Sequence, residues 1–416
     1  MLSIFSFLPV ALTIWGALLP PPPAPVAFHA PATYSVGFQP RALAVADVNG
    51  DGRPDIITAN EAKSRALGGG GDSYAIGIGA LLPRLERRSK PTDVGTVSVL
   101  LALPSGGFAR ARSYPVGRFP VALAVADLNH DGRPDLLTAD ADFQHRRTFT
   151  VLLGQADGFG APAAYPGSYL RTPEALVLTD LTGDSLPDII SVSDLPNNGG
   201  ASRDPGVEVR VAPLTADLGA RLVYPTGHYS PRSLALADLT GDGRPDAIVT
   251  DGEGYSPDSS VVVLPGQAQG RFGKPLTYFT ERGPTALADL NADGRPDLVA
   301  VSAHAIGVYL NGPSGLAPAT RYPGPGEKPI TAALADLNAD GRSDLVTNHY
   351  SYDTGAKGRI QVRLGQAGGG WSPATIFSVG THSAERFAVA DLNNDAHPDL
   401  ITLNRNTSTV SVLLAH

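Results

Sequence analysis

The chain of 416 residues contains no cysteine, which excludes a disulfide framework and thiol chemistry. It also lacks common catalytic signatures, since no nucleophile elbow, zinc-type histidine spacing or phosphate-binding glycine loop is present. No basic stripe runs along the chain, and we therefore expect no nucleic-acid partner. Glycine and proline are abundant, with 47 and 37 residues, among short hydrophobic segments. This composition is typical of many short strands joined by turns.

Charge is missing from the N-terminal segment, where no Asp, Glu, Lys or Arg precedes Arg41. Residues 2–19 are almost wholly apolar, and a run of prolines at 20–23 interrupts them. We interpret residues 1–30 as a secretory signal peptide or an N-terminal anchor, followed by a Pro/Ala spacer. Either interpretation predicts a secreted or cell-envelope protein in calcium-rich surroundings. Membrane attachment is expected only if the segment is not cleaved.

One nine-residue motif occurs seven times, first as Asp-Val-Asn-Gly-Asp-Gly-Arg-Pro-Asp at residues 47–55. Every copy has aspartate at positions 1, 5 and 9 and Asn or Thr at position 3. The formal net charge of −8 includes these aspartates, so the acidic balance does not indicate a cationic partner. The predicted metal ligands are Asp47, Asn49, Asp51, Asp55, Asp127, Asn129, Asp131, Asp135, Asp180, Thr182, Asp184, Asp188, Asp238, Thr240, Asp242, Asp246, Asp289, Asn291, Asp293, Asp297, Asp336, Asn338, Asp340, Asp344, Asp391, Asn393, Asp395 and Asp399.

Calcium is the cation that this spacing favours. Clustered carboxylates repel each other unless a hard cation binds, and Ca²⁺ takes six to eight oxygen ligands. We therefore predict up to seven Ca²⁺ sites, with the backbone carbonyl of position 7 as a further ligand. A single copy is also typical of a polar turn, but seven copies favour cation binding. The third site, with Thr182 and Ser185, is predicted to be the weakest, and Ala396 weakens the seventh because position 6 favours glycine.

Apolar segments flank each motif and define a repeat. The first aspartates of the motifs are separated by 80, 53, 58, 51, 47 and 55 residues. Strand A precedes each acidic loop, strand B follows it, and strand C leads through a Gly-rich turn to strand D. Four strands in a unit of this length are typical of a propeller blade. The excess in the first interval lies in residues 61–90, which we interpret as a loop insertion.

An aromatic residue precedes each motif by 11 to 15 residues and marks strand D. We interpret these side chains as packing between blades rather than as ligand contacts. Too few residues follow Asp391 for a last strand D, whereas the folded region opens with one. We therefore predict an all-β, seven-bladed β-propeller over residues 31–416, closed by an N-terminal strand that completes the last blade. The aromatic residues are Tyr34, Tyr114, Tyr165, Tyr224, Tyr278, Tyr322 and Phe377.

The repeat unit resembles a known family. Residues 124–135, with residues 96–101 as strand C, look like the FG-GAP/VCBS repeats of bacterial secreted proteins and the calcium-binding blades of the integrin alpha-subunit propeller. The resemblance covers roughly residues 33–416. It implies a propeller and Ca²⁺ ligation at the positions above. This scaffold serves adhesins, lectins and polysaccharide lyases alike, so the resemblance does not fix the partner.

The face opposite the calcium loops, formed by the B–C and D–A loops, is where we expect a glycan or protein ligand. Polar residues end every strand B, and basic residues recur in the D–A loops. The alternative is that these strand ends are polar simply because they meet water. The polar positions are Asn60, Asp140, Ser193, Asp251, Ser302, His349 and Asn404, the basic ones are Arg41, Arg118, Arg171, Arg232, Arg282, Lys328 and Arg386, and Tyr255, Tyr350 and Tyr352 lie nearby in sequence.

The sequence therefore favours a secreted calcium-binding propeller that acts as a binding or adhesion module. One alternative is a carbohydrate-active enzyme, a polysaccharide lyase or hydrolase, for which His145, His304 and His349 are the first candidates. Another is a structural protein of the cell envelope.

Overall fold

A computed structural model of the protein describes residues 25–63, 94–141, 147–167, 173–193, 206–212, 220–226, 231–251, 260–281, 283–349, 358–366, 370–379 and 386–416. Within these ranges the chain is all β and contains no helix. Seven four-stranded antiparallel sheets form the blades of a propeller, which confirms the predicted fold. No described helix is long and apolar enough to cross a membrane.

Each blade runs A, B, C, D in sheet order. The first strand, β1 (Ala32–Ser35), belongs to the last blade. Blade 1 contains β2 (Pro40–Ala46), β3 (Asp55–Asn60), β4 (Gly95–Leu100) and β5 (Arg112–Val116). Blade 2 contains β6 (Phe119–Ala126), β7 (Asp135–Ala141) and β8 (Arg147–Leu152), then a small hairpin of β9 (Gly154–Gln155) and β10 (Gly158–Phe159), and β11 (Ala163–Pro166). Blade 3 contains β12 (Pro173–Thr179), β13 (Asp188–Ser193), β14 (Gly206–Val211) and β15 (Ala220–Pro225).

The remaining blades repeat the pattern. Blade 4 contains β16 (Pro231–Ala237), β17 (Asp246–Asp251), β18 (Ser260–Leu264), the hairpin β19 (Gly266–Gln267) and β20 (Arg271–Phe272), and β21 (Leu276–Phe279). Blade 5 contains β22 (Thr285–Ala288), β23 (Asp297–Val301), β24 (Ala305–Tyr309), the hairpin β25 (Asn311–Gly312) and β26 (Gly315–Leu316), and β27 (Thr320–Pro323). Blade 6 contains β28 (Pro329–Ala335), β29 (Asp344–His349), β30 (Gly358–Arg363) and β31 (Thr375–Val379), and blade 7 contains β32 (Arg386–Ala390), β33 (Asp399–Asn404) and β34 (Thr409–Leu413).

The two ends of the chain meet in blade 7, as predicted. Strand β1 pairs with β34 in antiparallel register, with Tyr34 opposite Val410. The contact extends beyond the strands, because Phe28 bridges to Ala415 and the His29 N–H donates to the Leu414 carbonyl at 2.8 Å. Residues 27–29 therefore belong to the propeller, although the sequence assigned them to the spacer. Pairing the terminal strands leaves no open sheet edge between blades 7 and 1.

The core lies between neighbouring blades. Strands B and C are buried on both faces, so they read as continuous apolar runs, as in β18. Strand D is mostly exposed because it forms the outer edge, and its aromatic residue is half-buried. The described residues form seven apolar clusters, one at each contact between adjacent blades, and the cluster around Ile56 and Ile401 joins blades 1 and 7. Burial at these interfaces is the main apolar stabilisation of the ring.

The strand D aromatics pack between blades, which confirms their interpretation as core residues. Tyr34 of blade 7 meets Phe108 of blade 1 edge to face, with ring centroids 5.4 Å apart. The same geometry joins Tyr114 to Phe159 at 5.3 Å. Three further pairs across adjacent blades are Tyr224 with Phe272, Tyr322 with Trp371, and Phe377 with Phe28. The partner rings were missed in the sequence, although most of them directly follow a glycine of the C–D turn.

Two sequence predictions fall largely outside the described residues. The predicted signal or anchor with its spacer spans residues 1–30, of which 1–24 are not described, and the predicted insertion spans residues 61–90, of which 64–90 are not described. The described start of that insertion is packed, since Glu61 and Ala62 are buried and the Ala62 N–H donates to the Arg118 carbonyl at 3.0 Å.

Candidate metal centres in the acidic loops

The aspartate at position 9 holds each acidic loop to the end of strand C. Asp135 is fully buried, and its Oδ2 accepts the Leu128 N–H at 2.9 Å while its Oδ1 accepts the Gly154 N–H at 2.6 Å. All seven loops repeat this pair of hydrogen bonds. The position 9 aspartate is therefore an architectural residue whether or not it also binds a cation.

Burial and nearby carboxylates raise the pKa of several position 9 aspartates. Burial is the largest cause, and the carboxylates at positions 5 and 1 add to it. For Asp344 the pKa rises to about 6. Repulsion between carboxylates of one loop is the effect that a bound cation would relieve.

The aspartate at position 1 closes the loop from the other side. In the first loop, Asp47 Oδ2 accepts the Gly52 N–H at 2.7 Å and Oδ1 accepts the Gly50 N–H at 2.8 Å. The position 6 N–H makes the equivalent bond in all seven loops, at 2.7–2.8 Å. Burial is the largest single influence on the pKa of Asp47 and raises it, but four backbone amides together outweigh burial and hold the pKa below its ordinary value. The same balance lowers the pKa of Asp180.

The side chains at positions 3 and 5 complete the loop near solvent. Asp51 Oδ1 accepts the Arg53 N–H at 3.0 Å, and Asn49 Nδ2 donates to Asp51 Oδ2 at 3.0 Å. All five loops with asparagine make the same amide contact. Thr182 and Thr240 make different bonds, to Asp180 and to Asp246. The threonine substitution therefore changes the donor arrangement in the third and fourth loops.

The backbone at positions 4 and 6 is left-handed in every loop. Position 6 has φ between 68° and 84°, which confirms the predicted need for this conformation. Ser185 and Ala396 adopt it as well, with φ of 69° and 68°, so the third and seventh loops keep the fold of the others. Position 4 has φ between 56° and 81°, a requirement that the sequence analysis missed because only three copies have glycine there.

The donor chemistry of the loops fits a hard divalent cation. Each loop presents two exposed or half-buried carboxylates and an amide or hydroxyl oxygen close to a third, buried carboxylate. Carboxylate oxygens that accept one amide N–H keep a further lone pair for a ligand. Among the residues that the structure describes, no three His, Cys, Asp or Glu side chains already converge as a finished metal site.

Two family models match parts of the chain. One, described as an FG-GAP repeat, matches residues 40–76, and the other, described as an FG-GAP-like repeat, matches residues 289–347. The first match contains acidic loop 1 with strands A and B of blade 1, and the second contains acidic loops 5 and 6 with strand A of blade 6 between them. This chain is an FG-GAP repeat protein. No relative among curated proteins matches the sequence.

Four of the seven polar positions predicted on the opposite face of this FG-GAP propeller do not contribute to an exposed ring. Asn60, Asp140, His349 and Asn404 are buried. Asn60 Nδ2 donates to Ser98 Oγ at 3.0 Å, and Asn404 Nδ2 donates to Ser411 Oγ at 2.8 Å. Asn60, Asp140 and Asn404 join strands B and C inside their blades, and His349 contacts Thr347 of its own strand. These four buried side chains are therefore not strand ends that meet water. Ser302 is half-buried and donates to the Ala305 carbonyl, while the side chains of Ser193 and Asp251 lie outside the described residues.

Asp140 occupies the equivalent buried position in blade 2, where the side chain is a carboxylate. Its Oδ2 accepts the Thr150 hydroxyl at 2.6 Å and its Oδ1 accepts the Thr138 hydroxyl at 3.0 Å. Burial raises the pKa of Asp140 to about 6, and these hydroxyls with the Gly117 N–H limit the rise. Threonine two residues before Asn60, Asp140, His349 and Asn404 was the sequence signal for these internal networks.

The predicted basic residues are more exposed but not equivalent. Arg41 pairs with Glu61 in its own blade, and Arg405 Nη2 of blade 7 lies 3.0 Å from Glu61 Oε1. Glu61 therefore links the two blades that close the ring. Lys328 and Arg386 are exposed, and the Arg118 guanidinium lies 5.5 Å from the ring centroid of Phe119. Arg171, Arg282 and the side chain of Arg232 lie outside the described residues.

The candidate catalytic histidines occupy different environments. His304 is exposed in the B–C turn of blade 5, and its backbone N–H donates to Ser302 Oγ at 3.3 Å. His349 is buried with its Nε2 2.9 Å from Thr347 Oγ1, and burial lowers its pKa. His145, Tyr255, Tyr350 and Tyr352 lie outside the described residues.

Proposed function

We propose that this FG-GAP propeller is an extracytoplasmic binding or adhesion module that Ca²⁺ stabilises. The observation that carries the proposal is the sevenfold repetition of one closed loop that brings three carboxylates together. Propellers of this type commonly serve as binding modules, and the partner is set by surface residues rather than by the fold.

The side chains at positions 1, 3 and 5 and the position 7 carbonyl would hold the cation. The buried carboxylate at position 9 would offer its remaining lone pairs while it keeps its two backbone bonds. Bound Ca²⁺ would supply positive charge to the three carboxylates of each loop, whose described ion pairs reach only the position 5 aspartate. Loop 1 provides Asp47, Asn49, Asp51 and Asp55 for this purpose, and the other loops provide the equivalent residues.

Stability is the property that tests calcium binding most directly. A cation that binds only the folded chain adds RT ln(1 + [Ca²⁺]/Kd), which is on the order of 1 kcal/mol per loop at millimolar calcium for extracellular sites. We expect thermal unfolding to shift to a clearly lower temperature in EGTA and to recover when excess Ca²⁺ is added. An identical Tm in EGTA and in Ca²⁺ would remove the stabilising role.

A matched pair of variants tests whether the calcium-dependent gain in Tm arises in the acidic loops. Asp51→Asn removes a predicted ligand charge, whereas Asp157→Asn makes the same change at an exposed hairpin residue of blade 2. We expect Asp51→Asn to reduce the calcium-dependent gain in Tm and Asp157→Asn to leave it unchanged. Equal effects would assign the gain to general screening of acidic charge.

The partner that we propose is a glycan or a protein on the face opposite the acidic loops. Exposed basic side chains support this assignment, and Lys328 and Arg386 are the ones that the structure describes as exposed. A glycan array with the full chain is the first test, with Lys328→Ala and Arg386→Ala as variants. Saturable binding that both substitutions weaken supports the proposal, and binding that neither changes moves the partner to another surface.

Location is tested separately. We propose secretion or retention in the cell envelope, on the basis of the apolar N-terminal segment. Fractionation of cells that express the full chain, with the N-terminus of the product sequenced, distinguishes cleavage from anchoring. Recovery of the whole chain in the cytoplasm would contradict both.

A further inference from the structure

The residue at position 7 divides the acidic loops into groups. It is arginine in five loops, Leu186 in the third and His397 in the seventh. In every loop its N–H donates to the position 5 aspartate, so the backbone is the same throughout. Only the side chain differs.

The arginines differ in how closely they approach the position 5 carboxylate. Arg53 Nη2 lies 2.5 Å from Asp51 Oδ2, and Arg342 Nη2 lies 2.7 Å from Asp340 Oδ2. The corresponding distances are 3.4 Å for Arg244 and Asp242 and 3.9 Å for Arg133 and Asp131.

Arg295 makes no ion pair among the described residues, although its backbone matches the others. We call an arginine closed where its guanidinium contacts the position 5 carboxylate, as in loops 1 and 6. We call it open where it makes no such contact, as in loop 5.

A closed arginine engages an oxygen that the cation would use. Asp51 Oδ2 already accepts Asn49 Nδ2 at 3.0 Å, and the guanidinium adds a fixed positive charge to the same atom. In the seventh loop, Asp395 Oδ2 accepts only Asn393 Nδ2, at 2.8 Å, among the described residues. In the third loop the Asp184 carboxylate accepts the Leu186 N–H at 2.9 Å, and no side chain among the described residues bonds that carboxylate. A bound Ca²⁺ would have to displace the closed arginine and would be repelled by it.

We infer, on the basis of the proposed calcium binding, that the position 7 arginine sets the calcium affinity of its own loop. Loops 1 and 6 bind most weakly because Arg53 and Arg342 are closed over their carboxylates. Loop 7 binds most tightly because it has the complete Asp and Asn ligand set and no arginine. This order reverses the sequence expectation for loop 7, since Ala396 already holds the left-handed conformation.

Replacement of the arginine by a neutral residue of similar length tests the inference. Ca²⁺ is titrated into the chelator-treated full chain by isothermal calorimetry, with the stoichiometry and the dissociation constants as readouts. Arg53→Gln and Arg342→Gln should each move one Ca²⁺ from the weak class to the tight class, with a gain of about five-fold in affinity, the size of a surface ion pair. Arg295→Gln is the matched control and should change the constants least.

The outcomes separate this inference from the function on which it rests. If the unaltered chain binds no Ca²⁺, the proposed function fails. If it binds Ca²⁺ but Arg53→Gln and Arg342→Gln leave all constants unchanged, only the role of arginine is overturned. An equal gain in Arg295→Gln would overturn it too, because the effect would then reflect net charge rather than the closed ion pair. Arg53→Lys keeps the charge without the fork geometry of arginine. Its calcium affinity should therefore fall between those of the unaltered chain and Arg53→Gln.

Discussion

The strands end with different hydrogen-bonding arrangements on the two faces of the propeller. On the acidic face, backbone amides bind carboxylates at fixed positions, and the left-handed residues give seven nearly superimposable loops. On the opposite face, side chains such as Asn60 and Asp140 turn into the blade and bond to hydroxyls. A loop whose conformation is fixed by backbone hydrogen bonds tolerates few substitutions. Strand ends whose hydrogen bonds come from side chains differ from blade to blade.

The largest effect is expected on the acidic face, at position 9. Asp135→Ala leaves the buried N–H groups of Leu128 and Gly154 without an acceptor, and each such loss costs about 1–3 kcal/mol. We expect the free energy of unfolding to fall by roughly 2–6 kcal/mol. Denaturant unfolding in EGTA measures this loss without any contribution from bound cations.

Asp131→Ala is the control within the same loop. Its carboxylate is exposed, so its loss in EGTA should cost less than about 1 kcal/mol. Equal losses for Asp131→Ala and Asp135→Ala would show that position 9 does not hold the loop as we describe.

The second effect concerns Asp140 on the opposite face and depends on pH. Its folded pKa is raised from 3.8 to about 6, so the folded chain binds the proton more tightly than the unfolded chain does. The stability that protonated Asp140 contributes is therefore present below about pH 4 and is lost as the pH rises through about 6. The full loss is up to about 3 kcal/mol.

Asp140→Asn removes this charge while it keeps a polar side chain, as Asn60 and Asn404 do at the same position of their blades. We expect the variant to be more stable than the unaltered chain at pH 8 and similar to it at pH 4. The measurement is the difference in unfolding free energy between the two proteins across that range, in EGTA. A difference that does not change with pH would contradict the assignment.

A smaller effect is expected at the ion pairs that join blades 7 and 1. Glu61→Gln removes the charge that faces Arg41 and Arg405. Both arginines are partly exposed, so we expect a loss of about 1 kcal/mol that shrinks in high salt. Glu327→Gln, which removes an exposed pair with Arg359 at 3.4 Å, is the control for an ion pair outside the closing blades. A loss no larger than that of the control would mean that Glu61 does not hold the ring closed.

The same contrast explains what could be predicted from the sequence. The blade count and the closure by Tyr34 followed from features that recur at fixed spacing, and the structure confirms them. The direction of the side chains on the opposite face could not be predicted, because polarity alone does not distinguish a strand end in water from one bonded to Thr150 or Ser98 inside a blade. The aromatic partners in the C–D turns were also missed, since their contacts lie in the adjacent blade.

The smallest effects are expected at position 6 of the acidic loops, where glycine, serine and alanine share one left-handed backbone conformation. At Gly243 of the fourth loop, φ is 82° and an added Cβ would meet nothing within 4 Å. The left-handed backbone, not lack of space, therefore selects glycine there. Ser185 and Ala396 hold the same conformation at a cost of about 1 kcal/mol each, which the unfolded chain partly offsets because glycine is more flexible.

Ser185→Gly and Ala396→Gly should therefore stabilise the chain by about 0.5 kcal/mol, and Gly243→Ala should destabilise it by a similar amount. Thermal unfolding in EGTA measures all three without bound cations. If the two changes to glycine destabilise the chain, then the loops at Ser185 and Ala396 do not share the backbone of the others. The prediction from the sequence that the third and seventh loops bind Ca²⁺ more weakly would then have a structural reason, because a distorted loop cannot hold its carboxylates in the common arrangement.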